Sequence, residues 1–361
     1  MKAIIFAGGV GTRLWPLSRK KSPKQFEKII GDKSTLQLAV ERLSPEFDAK
    51  DIYISTGADY ADLVHSQLPH IPRKNIIGEP EKKDVGPAVC YAMSYLAREF
   101  PDEPVIILWS DHLVRNEKKF REIVQAANEV IQRERNKIVF IGQKARFASE
   151  NLGWIATGGE VKHVNGISLF SFSGFKYKPD KKKAEEYFES KKYCWNLGYF
   201  VSTPQFVLDL FKNYAPNIYQ LVEKISAAYG SKNFTSLFAT YYRQMPKINF
   251  DNAVLEQLDK ESAYVVVEDI GWSDVGAWEA LKEALEKKRE DNIIKGNVLL
   301  DASSDNLVYN YEEKKLIVGI DLEDLLVVNT SDVILVSKKT SVAKIKKLVE
   351  SFQGTGNERL T

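Results

Sequence analysis

The sequence predicts an α/β protein with a doubly wound, mostly parallel sheet, followed by a small β module. In the first 145 residues, strand-like apolar runs alternate with helical patterns, which is typical of a parallel sheet covered by helices. The first apolar run stops abruptly at glycines, as a buried strand does when it opens into a loop. After residue 291 the pattern changes to short strands at regular spacing.

The first half supplies the strands and helices of the sheet. Apolar runs predict strands over residues 2–7, 52–56, 105–109 and 137–142. A capping box at residues 34–37 and helical spacing elsewhere predict helices that start at 34, span 87–100 and span about 117–135. In such sheets, ligands lie outside the carboxyl ends of the strands.

The second half divides into a mixed segment and the β module. From about 150 to 290, strands over 166–175 and 264–267 alternate with polar helices over 181–189 and 277–289, which predicts a substrate-binding lobe. Strands over 296–301, 306–309, 316–319, 325–329 and 333–337 precede a helix over 342–352. We therefore predict one domain over 1–290, with the lobe at about 150–290, and a second over 291–361.

Composition excludes several classes of protein. The 51 basic and 49 acidic residues give a net charge of +2, which offers no electrostatic argument for nucleic acid. No apolar run approaches the roughly 18 residues of a membrane span, and the first run is too short for a signal peptide. Cys90 and Cys194 are too few for a disulfide framework. We expect a cytoplasmic protein that binds neither nucleic acid nor membrane.

The most informative segment is AGGVGTRLWPLSR at residues 7–19, followed by PKQF at 23–26. Its clustered glycines let backbone N–H groups approach a ligand closely, and such groups bind phosphate. Arg13 and Lys24 place two cations beside them. The segment therefore predicts a loop that binds the phosphates of a nucleotide.

Two common phosphate loops do not match this segment. A dinucleotide fingerprint requires a third glycine where Leu14 stands. A P-loop ends in Gly-Lys followed by Ser or Thr, and neither Gly8 nor Gly9 leads to that ending. A glycine-rich turn without a ligand is the alternative.

The segment resembles the signature of the sugar-1-phosphate nucleotidyltransferases, and its WPLSR and PKQF parts resemble the mannose-1-phosphate guanylyltransferase branch. The resemblance extends from Met1 to about Ser337. It implies a Rossmann-like fold, a β-helix-like appendage used for dimer contacts, and hence a homodimer. It also implies a nucleotide site that includes Ala7, Gly8, Gly9, Gly11, Thr12 and Arg13.

The implied reaction transfers GMP from GTP to mannose 1-phosphate and releases pyrophosphate. The sugar phosphate attacks the α-phosphate in line, and this nucleophile is already ionised at neutral pH. Catalysis then depends on positioning and charge neutralisation, as in other phosphoryl transfers. We assign this catalytic role to Arg13, Lys24 and Asp111.

Two aspartates are candidate ligands of Mg²⁺. Asp111 follows the apolar run at 105–109, and Asp274 lies in GWSDVG at 271–276. Mg²⁺ usually takes one or two protein carboxylates plus substrate oxygens and water. Both residues match metal-binding positions of the family, although either alone is typical of a helix cap or turn. We expect a structural role for the adjacent His112.

Glu79, Pro80 and Gly86 lie where related nucleotidyltransferases read the base. Guanine presents two adjacent donors, N1–H and the N2 amino group, and one carboxylate accepts from both. Glu79 therefore predicts guanine. A solvated loop glutamate is the alternative.

The sugar site is expected around FKYKPD at 175–180 and YCWNLGYF at 193–200. The first resembles the family motif Phe-x-Glu-Lys-Pro, which implies that Lys178 binds the sugar phosphate. Tyr177 replaces the glutamate that binds sugar hydroxyls, which leaves the identity of the sugar open. The second segment places Asn196 at the sugar.

Two further residues complete the predicted substrate site, Gly153 and Glu256. Asp251, in the same family element as Glu256, is read equally well as a helix N-cap.

Three functions remain open. The first is the guanylyltransferase, or a nucleotidyltransferase for another sugar 1-phosphate. A nicotinamide-dependent dehydrogenase is disfavoured by Leu14 and by the lack of an acidic residue closing a second strand. A non-catalytic regulatory protein that binds nucleotide sugars is disfavoured because the cations and aspartates of a catalytic site are all present.

Overall fold

The computed structural model describes residues 1–9 and 11–361; Val10, in the glycine-rich segment, lies outside the described residues. The chain forms two compact units. The first unit comprises Met1–Ala7, Val40–Trp109 and Arg115–Ile270, and the second comprises Gly8–Ala39, Ser110–Val114 and Gly271–Thr361. The domain boundary at residue 290 stays a prediction.

The strands and helices alternate along most of the chain. The strands are β1 (Lys2–Ala7), β2 (Ile52–Gly57), β3 (Ile76–Glu79), β4 (Val105–Trp109), β5 (Leu113–Val114), β6 (Ile138–Gln143), β7 (Gly153–Val164), β8 (Ile167–Tyr177), β9 (Tyr193–Ser202), β10 (Ala263–Glu268), β11 (Trp272–Ser273), β12 (Ile293–Lys295), β13 (Val298–Asp301), β14 (Leu307–Asn310), β15 (Ile317–Ile320), β16 (Leu325–Asn329) and β17 (Ile334–Lys338). The α-helices are α1 (Thr35–Glu41), α2 (Ala61–Gln67), α3 (Val85–Ala97), α4 (Glu117–Arg133), α5 (Lys181–Ser190), α6 (Pro204–Tyr214), α7 (Pro216–Ala227), α8 (Phe234–Arg243), α9 (Phe250–Ala253), α10 (Trp278–Leu285) and α11 (Ala343–Glu350).

A nine-stranded sheet forms the centre of the first unit, in the order β3-β2-β1-β4-β9-β6-β10-β8-β7. All its strands run in one direction except β8 and β9. The strands β7 to β10, from the segment expected to form a lobe, lie in this same sheet. The predicted α/β fold with a mostly parallel sheet is confirmed.

Helices cover both faces of this sheet, as β9 illustrates. Successive residues of a strand point to opposite faces. Tyr199 contacts Phe120 of α4, with ring centroids 5.9 Å apart, and Phe200 stacks on Phe250 of α9 at 5.5 Å. All four rings are buried. The doubly wound arrangement therefore follows from large apolar side chains on both faces of a central strand.

The second unit contains the predicted C-terminal β module. Its strands form the sheets β12-β14-β16-β17 and β13-β15, in which every pair is parallel except β16–β17. Buried asparagines bond to one another and to turn carbonyls, as where Asn329 Nδ2 donates to Asn310 Oδ1 at 2.8 Å. This arrangement suits the β-helix-like appendage that the resemblance implies, which stays a prediction.

The predicted end of α10 at residue 289 is wrong. The helix ends at Leu285 because the side chain of Asp291 accepts from the backbone N–H groups of Lys287 and Lys288, at 3.0 and 2.9 Å. These groups would otherwise continue the helix.

In the described part of the chain, no helix is both long and apolar enough to cross a bilayer.

Candidate active site

The glycine-rich segment begins where β1 ends. Ala7 is buried, and its carbonyl oxygen accepts from the Thr56 hydroxyl at 2.8 Å. Gly8 and Gly9 are exposed, and a Cβ on either would meet no atom within 4 Å. The segment therefore has an open side, as a loop that binds a ligand requires.

Gly11 allows Lys24 to lie against this loop. Gly11 has a φ of +72°, and a Cβ there would lie 2.6 Å from Cγ and Cδ of Lys24. A side chain at this position would be strained and would displace the lysine stem. Lys24 is buried, and its Nζ lies 2.5 Å from Oδ2 of Asp111. Glycine at this position thus keeps the cation beside the aspartate.

Asp111 is held in its charged form. Burial raises the pKa of this carboxyl, but Lys24 and then His112 lower it, and the net shift is downward. The Trp272 indole N–H points at Nδ1 of His112, with the two nitrogens 3.1 Å apart. In the tautomer with the proton on Nε2, Nδ1 accepts this bond. These contacts suit the structural role predicted for His112, which stays a prediction.

Asp274 lies close to Arg13 in the same unit. A Cβ on Gly276 would lie 3.3 Å from Arg13 Nη2 and 3.4 Å from Asp274 Oδ2. The missing side chain of Gly276 therefore leaves a space bordered by a cation and a carboxylate.

The second unit also aligns the segments that carry the two aspartates. β5 and β11 pair antiparallel, with Leu113 opposite Ser273, so Asp111 and Asp274 flank one short ladder. Among the described residues, no three or more His, Cys, Asp or Glu side chains cluster in a way that could hold a metal ion by themselves. Two carboxylates nevertheless fit Mg²⁺, because substrate oxygens and water usually complete its shell.

The loop is anchored by the C-terminal part of the second unit. The Trp15 indole N–H donates to the carbonyl oxygen of Leu360 at 2.8 Å, and the Trp15 carbonyl accepts from the Trp278 indole at 3.1 Å. Arg19 forms two bonds to the carboxylate of Asp332, at 2.7 and 2.6 Å. No sequence pattern predicted these anchors, because each joins residues hundreds of positions apart.

In the first unit, Glu79 ends β3 among neutral partners. Tyr242 Oη donates to Oε2 at 2.6 Å, and Ser55 Oγ donates to Oε1 at 3.2 Å. Burial raises the pKa of Glu79 to about 7, although both hydroxyls lower it. The glutamate is not the solvated loop residue of the alternative interpretation.

The neighbours predicted beside Glu79 differ from each other. Pro80 is exposed. Gly86 is buried in α3, its N–H donates to the carbonyl oxygen of Ile248 at 2.9 Å, and a Cβ would lie 2.7 Å from that oxygen. Close packing thus accounts for glycine at residue 86, and its role in nucleotide binding stays a prediction.

The predicted sugar-site residues come together in the first unit. Gly153 of β7 lies opposite both Tyr177 of β8 and Asn196 of β9, so the three occupy one row of the sheet. Glu256 accepts from the Tyr177 backbone N–H at 3.3 Å. Lys178 is exposed, and its Nζ lies 4.9 Å from the centre of the Tyr177 ring.

Asp251 belongs to this cluster and is not a helix cap. Its Oδ1 accepts from Asn196 Nδ2 at 3.1 Å, whereas the N-cap of α9 is Asn249. Burial raises the pKa of Asp251 to about 6, against the lowering effect of Lys178 and Asn196. Of the two readings of Asp251, the N-cap is wrong.

The comparisons with known proteins agree on one family. The nucleotidyl transferase family model matches residues 2–291. Mannose-1-phosphate guanylyltransferase of Salmonella muenchen is 35% identical over 355 residues, which are 96% of this chain and 72% of that protein. Mannose-1-phosphate guanylyltransferase 2 of Escherichia coli O157:H7 is 33% identical over 359 residues, 97% of this chain and 73% of that protein. The chain belongs to the mannose-1-phosphate guanylyltransferase family.

A solved structure supports this assignment. The crystal structure described as mannose-1-phosphate geranyltransferase from Thermus thermophilus has a TM-score of 0.86 and 26% identity, covering 98% of this chain and 99% of that one. The predicted resemblance and the predicted nucleotidyltransferase activity are confirmed, and the dehydrogenase hypothesis has no support. Members of the nucleotidyl transferase family generally use a divalent metal and act on a nucleoside triphosphate and a sugar 1-phosphate.

Proposed function

We propose that this guanylyltransferase-family protein transfers GMP from GTP to mannose 1-phosphate, forming GDP-mannose and pyrophosphate. The observation that carries the proposal is the set of charges in the second unit. The absence of a side chain at Gly11 leaves room for Lys24 beside Asp111, and the absence of one at Gly276 leaves a space bordered by Arg13 and Asp274. A triphosphate requires such alternation of cations and metal-binding carboxylates.

The glycine-rich loop binds the triphosphate in this proposal. Backbone N–H groups of Gly8, Gly9, Gly11 and Thr12 face phosphate oxygens, and Arg13 and Lys24 neutralise the charge that develops during transfer. Asp111 and Asp274 would hold Mg²⁺, which supplies further charge neutralisation on phosphate oxygens when it is bound.

The chemical step needs no general base. A phosphate oxygen of mannose 1-phosphate forms a bond to the α-phosphorus of GTP, and the bond from that phosphorus to the oxygen bridging to the β-phosphate breaks. Pyrophosphate leaves with that oxygen, and one phosphoanhydride replaces another. The reaction is therefore freely reversible, and positioning supplies most of the catalysis.

The first unit supplies recognition of the base and the sugar. Glu79 accepts from the two N–H donors of guanine, beside Pro80 and Gly86. Lys178 binds the phosphate of the sugar. The residues near the sugar hydroxyls are Gly153, Tyr177, Asn196 and Glu256.

Tyr177 favours a second candidate, in which other hexose 1-phosphates also serve. A phenol offers one oxygen where a glutamate would accept from two hydroxyls. In this candidate the reaction and the base are unchanged, and only the discrimination among sugars is weaker.

We also propose a cytoplasmic homodimer. The outer face of the β13–β15 sheet is apolar and exposed, with Leu299 opposite Val318 and Ile320 next to them. Contiguous apolar surface of this kind is typical of contacts between subunits. Cys90 and Cys194 are buried free thiols, which suits a reducing compartment.

Release of pyrophosphate tests the function directly. GTP, ATP, UTP and dTTP are each combined with mannose, glucose and galactose 1-phosphate in the presence of Mg²⁺. We expect the highest kcat/KM with GTP and mannose 1-phosphate. The Asp111→Asn variant, purified identically, controls for contaminating activity, and equal rates with all four nucleotides would contradict guanine recognition.

A further inference from the structure

Glu79 is half-buried, and its carboxylate accepts from hydroxyls rather than from a cation. In the described part of the chain, its partners are Tyr242 and Ser55, and burial raises the pKa of the carboxyl to about 7. A carboxylate in such a place destabilises the fold when it is charged. Carboxyls with a perturbed pKa concentrate at binding sites, which makes Glu79 a candidate for ligand recognition.

The two hydroxyls contact different oxygens of the carboxylate. Tyr242 donates to Oε2 at 2.6 Å, and Ser55 donates to Oε1 at 3.2 Å. A carboxylate has about four acceptor sites, so each oxygen keeps capacity for another donor. Glu79 thus offers two adjacent acceptors whose orientation is fixed from the protein side.

We propose that Tyr242 and Ser55 are positioning residues that set the base specificity, because their hydroxyls orient the Glu79 carboxylate toward the two N–H donors of guanine. This inference rests on the proposed function, in which Glu79 reads the base. It extends the base site to α8, in which Tyr242 lies 163 positions from Glu79.

Tyr242 is well placed for this role. It is fully buried, and its ring packs edge-on against Tyr91 and Phe238, with centroids 6.2 and 5.5 Å apart. The packing fixes the direction of the hydroxyl. Besides Glu79, the titratable groups near Tyr242 are Tyr91 and Cys90. Burial raises the pKa of the Cys90 thiol and of the Tyr91 and Tyr242 phenols. Glu79 is therefore the group here that changes charge near neutral pH.

Tyr242→Phe tests the inference, because it removes the hydroxyl and keeps the ring. The readout is kcat/KM for GTP and for ITP, whose hypoxanthine lacks the N2 amino group. We expect kcat/KM of the wild type to be higher with GTP than with ITP. In the variant, kcat/KM should fall about tenfold with GTP and by less with ITP. KM for GTP rises as the pH falls and Glu79 is protonated, and this rise should begin at higher pH in the variant.

Matched variants separate positioning from stability. Tyr91→Phe removes a phenol hydroxyl from the same aromatic cluster and leaves the hydrogen bonds of Glu79 in place. We expect the ratio of kcat/KM for GTP to kcat/KM for ITP to stay at the wild-type value. Ser55→Ala removes the longer bond and should shift the ratio in the same direction as Tyr242→Phe, by less.

The outcomes distinguish this inference from the proposed function. Transfer by the wild type, together with an unchanged ratio and pH profile in Tyr242→Phe, would overturn the inference and leave the function intact. Should that variant not fold, an unchanged ratio in Ser55→Ala would overturn it. Absence of transfer by the wild type with every nucleotide would overturn both.

Discussion

Three carboxylates, Asp111 in the second unit and Glu79 and Asp251 in the first, lie in different environments. In the second unit, Asp111 pairs with Lys24 at 2.5 Å, and its pKa lies below the ordinary value. In the first unit, the half-buried Glu79 and Asp251 accept from hydroxyl or amide donors, and desolvation raises their pKa to about 7 and about 6.

The difference matches the ligands that each unit is proposed to bind. A triphosphate with its metal carries full charges, so its site contains charged groups of both signs. A base and a sugar present neutral N–H and O–H donors, which a carboxylate accepts through its free lone pairs. For Asp111 and Glu79, the partners of the carboxylate thus match the part of the substrate that each is proposed to face.

Replacing the proposed metal ligands should have the largest effect. We expect Asp111→Asn and Asp274→Asn each to lower kcat about 10³-fold, since a bound metal is worth several kcal/mol in such reactions. Pyrophosphate release at several Mg²⁺ concentrations measures this, with circular dichroism to check the fold. A near-normal rate in either variant would remove that residue from the metal site.

Disturbing the position of Lys24 should come next. In Gly11→Ala the new Cβ displaces the lysine stem, and a shift of about 1 Å near the reacting atoms costs roughly 10²-fold in kcat. Lys24→Ala should lower kcat similarly. Gly31→Ala is the matched control, because Gly31 also has a positive φ, of +61°, but a Cβ there meets nothing. Equal losses in Gly11→Ala and Gly31→Ala would show that backbone strain, not displacement of Lys24, is the cause.

Neutralising Glu79 should raise stability at alkaline pH. Its pKa of about 7 in the folded protein exceeds the ordinary 4.5, so its contribution to stability is full below pH 4.5 and is lost as the pH rises through 7. We expect Glu79→Gln to increase the free energy of unfolding at pH 8 by on the order of 2–3 kcal/mol, and far less at pH 4.5. Urea titrations at both values measure it, and an equal change at both would contradict a buried charge.

The smallest expected effect concerns the sugar. Tyr177→Glu restores a second acceptor, so we expect it to raise the preference for mannose 1-phosphate over glucose and galactose 1-phosphates by a few-fold. Values of kcat/KM for the three sugars in both proteins decide it. Sharp mannose selectivity in the wild type that the substitution leaves unchanged would show that Tyr177 does not read the sugar.

Local patterns predicted much of the fold. The capping box at the start of α1 is present, with Ser34 N–H donating to Gln37 Oε1 at 2.9 Å and Gln37 N–H donating to Ser34 Oγ at 3.2 Å. All atoms of that motif lie within one helical turn. The strands β1 and β4 match their predicted bounds because each is a continuous apolar run.

The contacts that sequence could not supply are the long-range ones. Tyr242 has no motif around it, and its bond to Glu79 depends on where α8 packs. Aspartate is a common N-cap residue, which made Asp251 a candidate cap, but the cap of α9 lies two residues earlier at Asn249. The candidate site residues followed from motifs, whereas the partners that tune those residues follow from tertiary packing.

The anchor between Trp15 and Leu360 ends on a main-chain oxygen. Every amino acid supplies that carbonyl, so substitution of Leu360 leaves the acceptor in place. This one contact of the glycine-rich loop therefore depends on the path of the tail's main chain. Substitution of Leu360 would disturb its packing against the second unit's core but would leave this bond in place. A deletion that shifts the tail would remove the bond and leave the loop held by its contacts with Trp278 and Asp332.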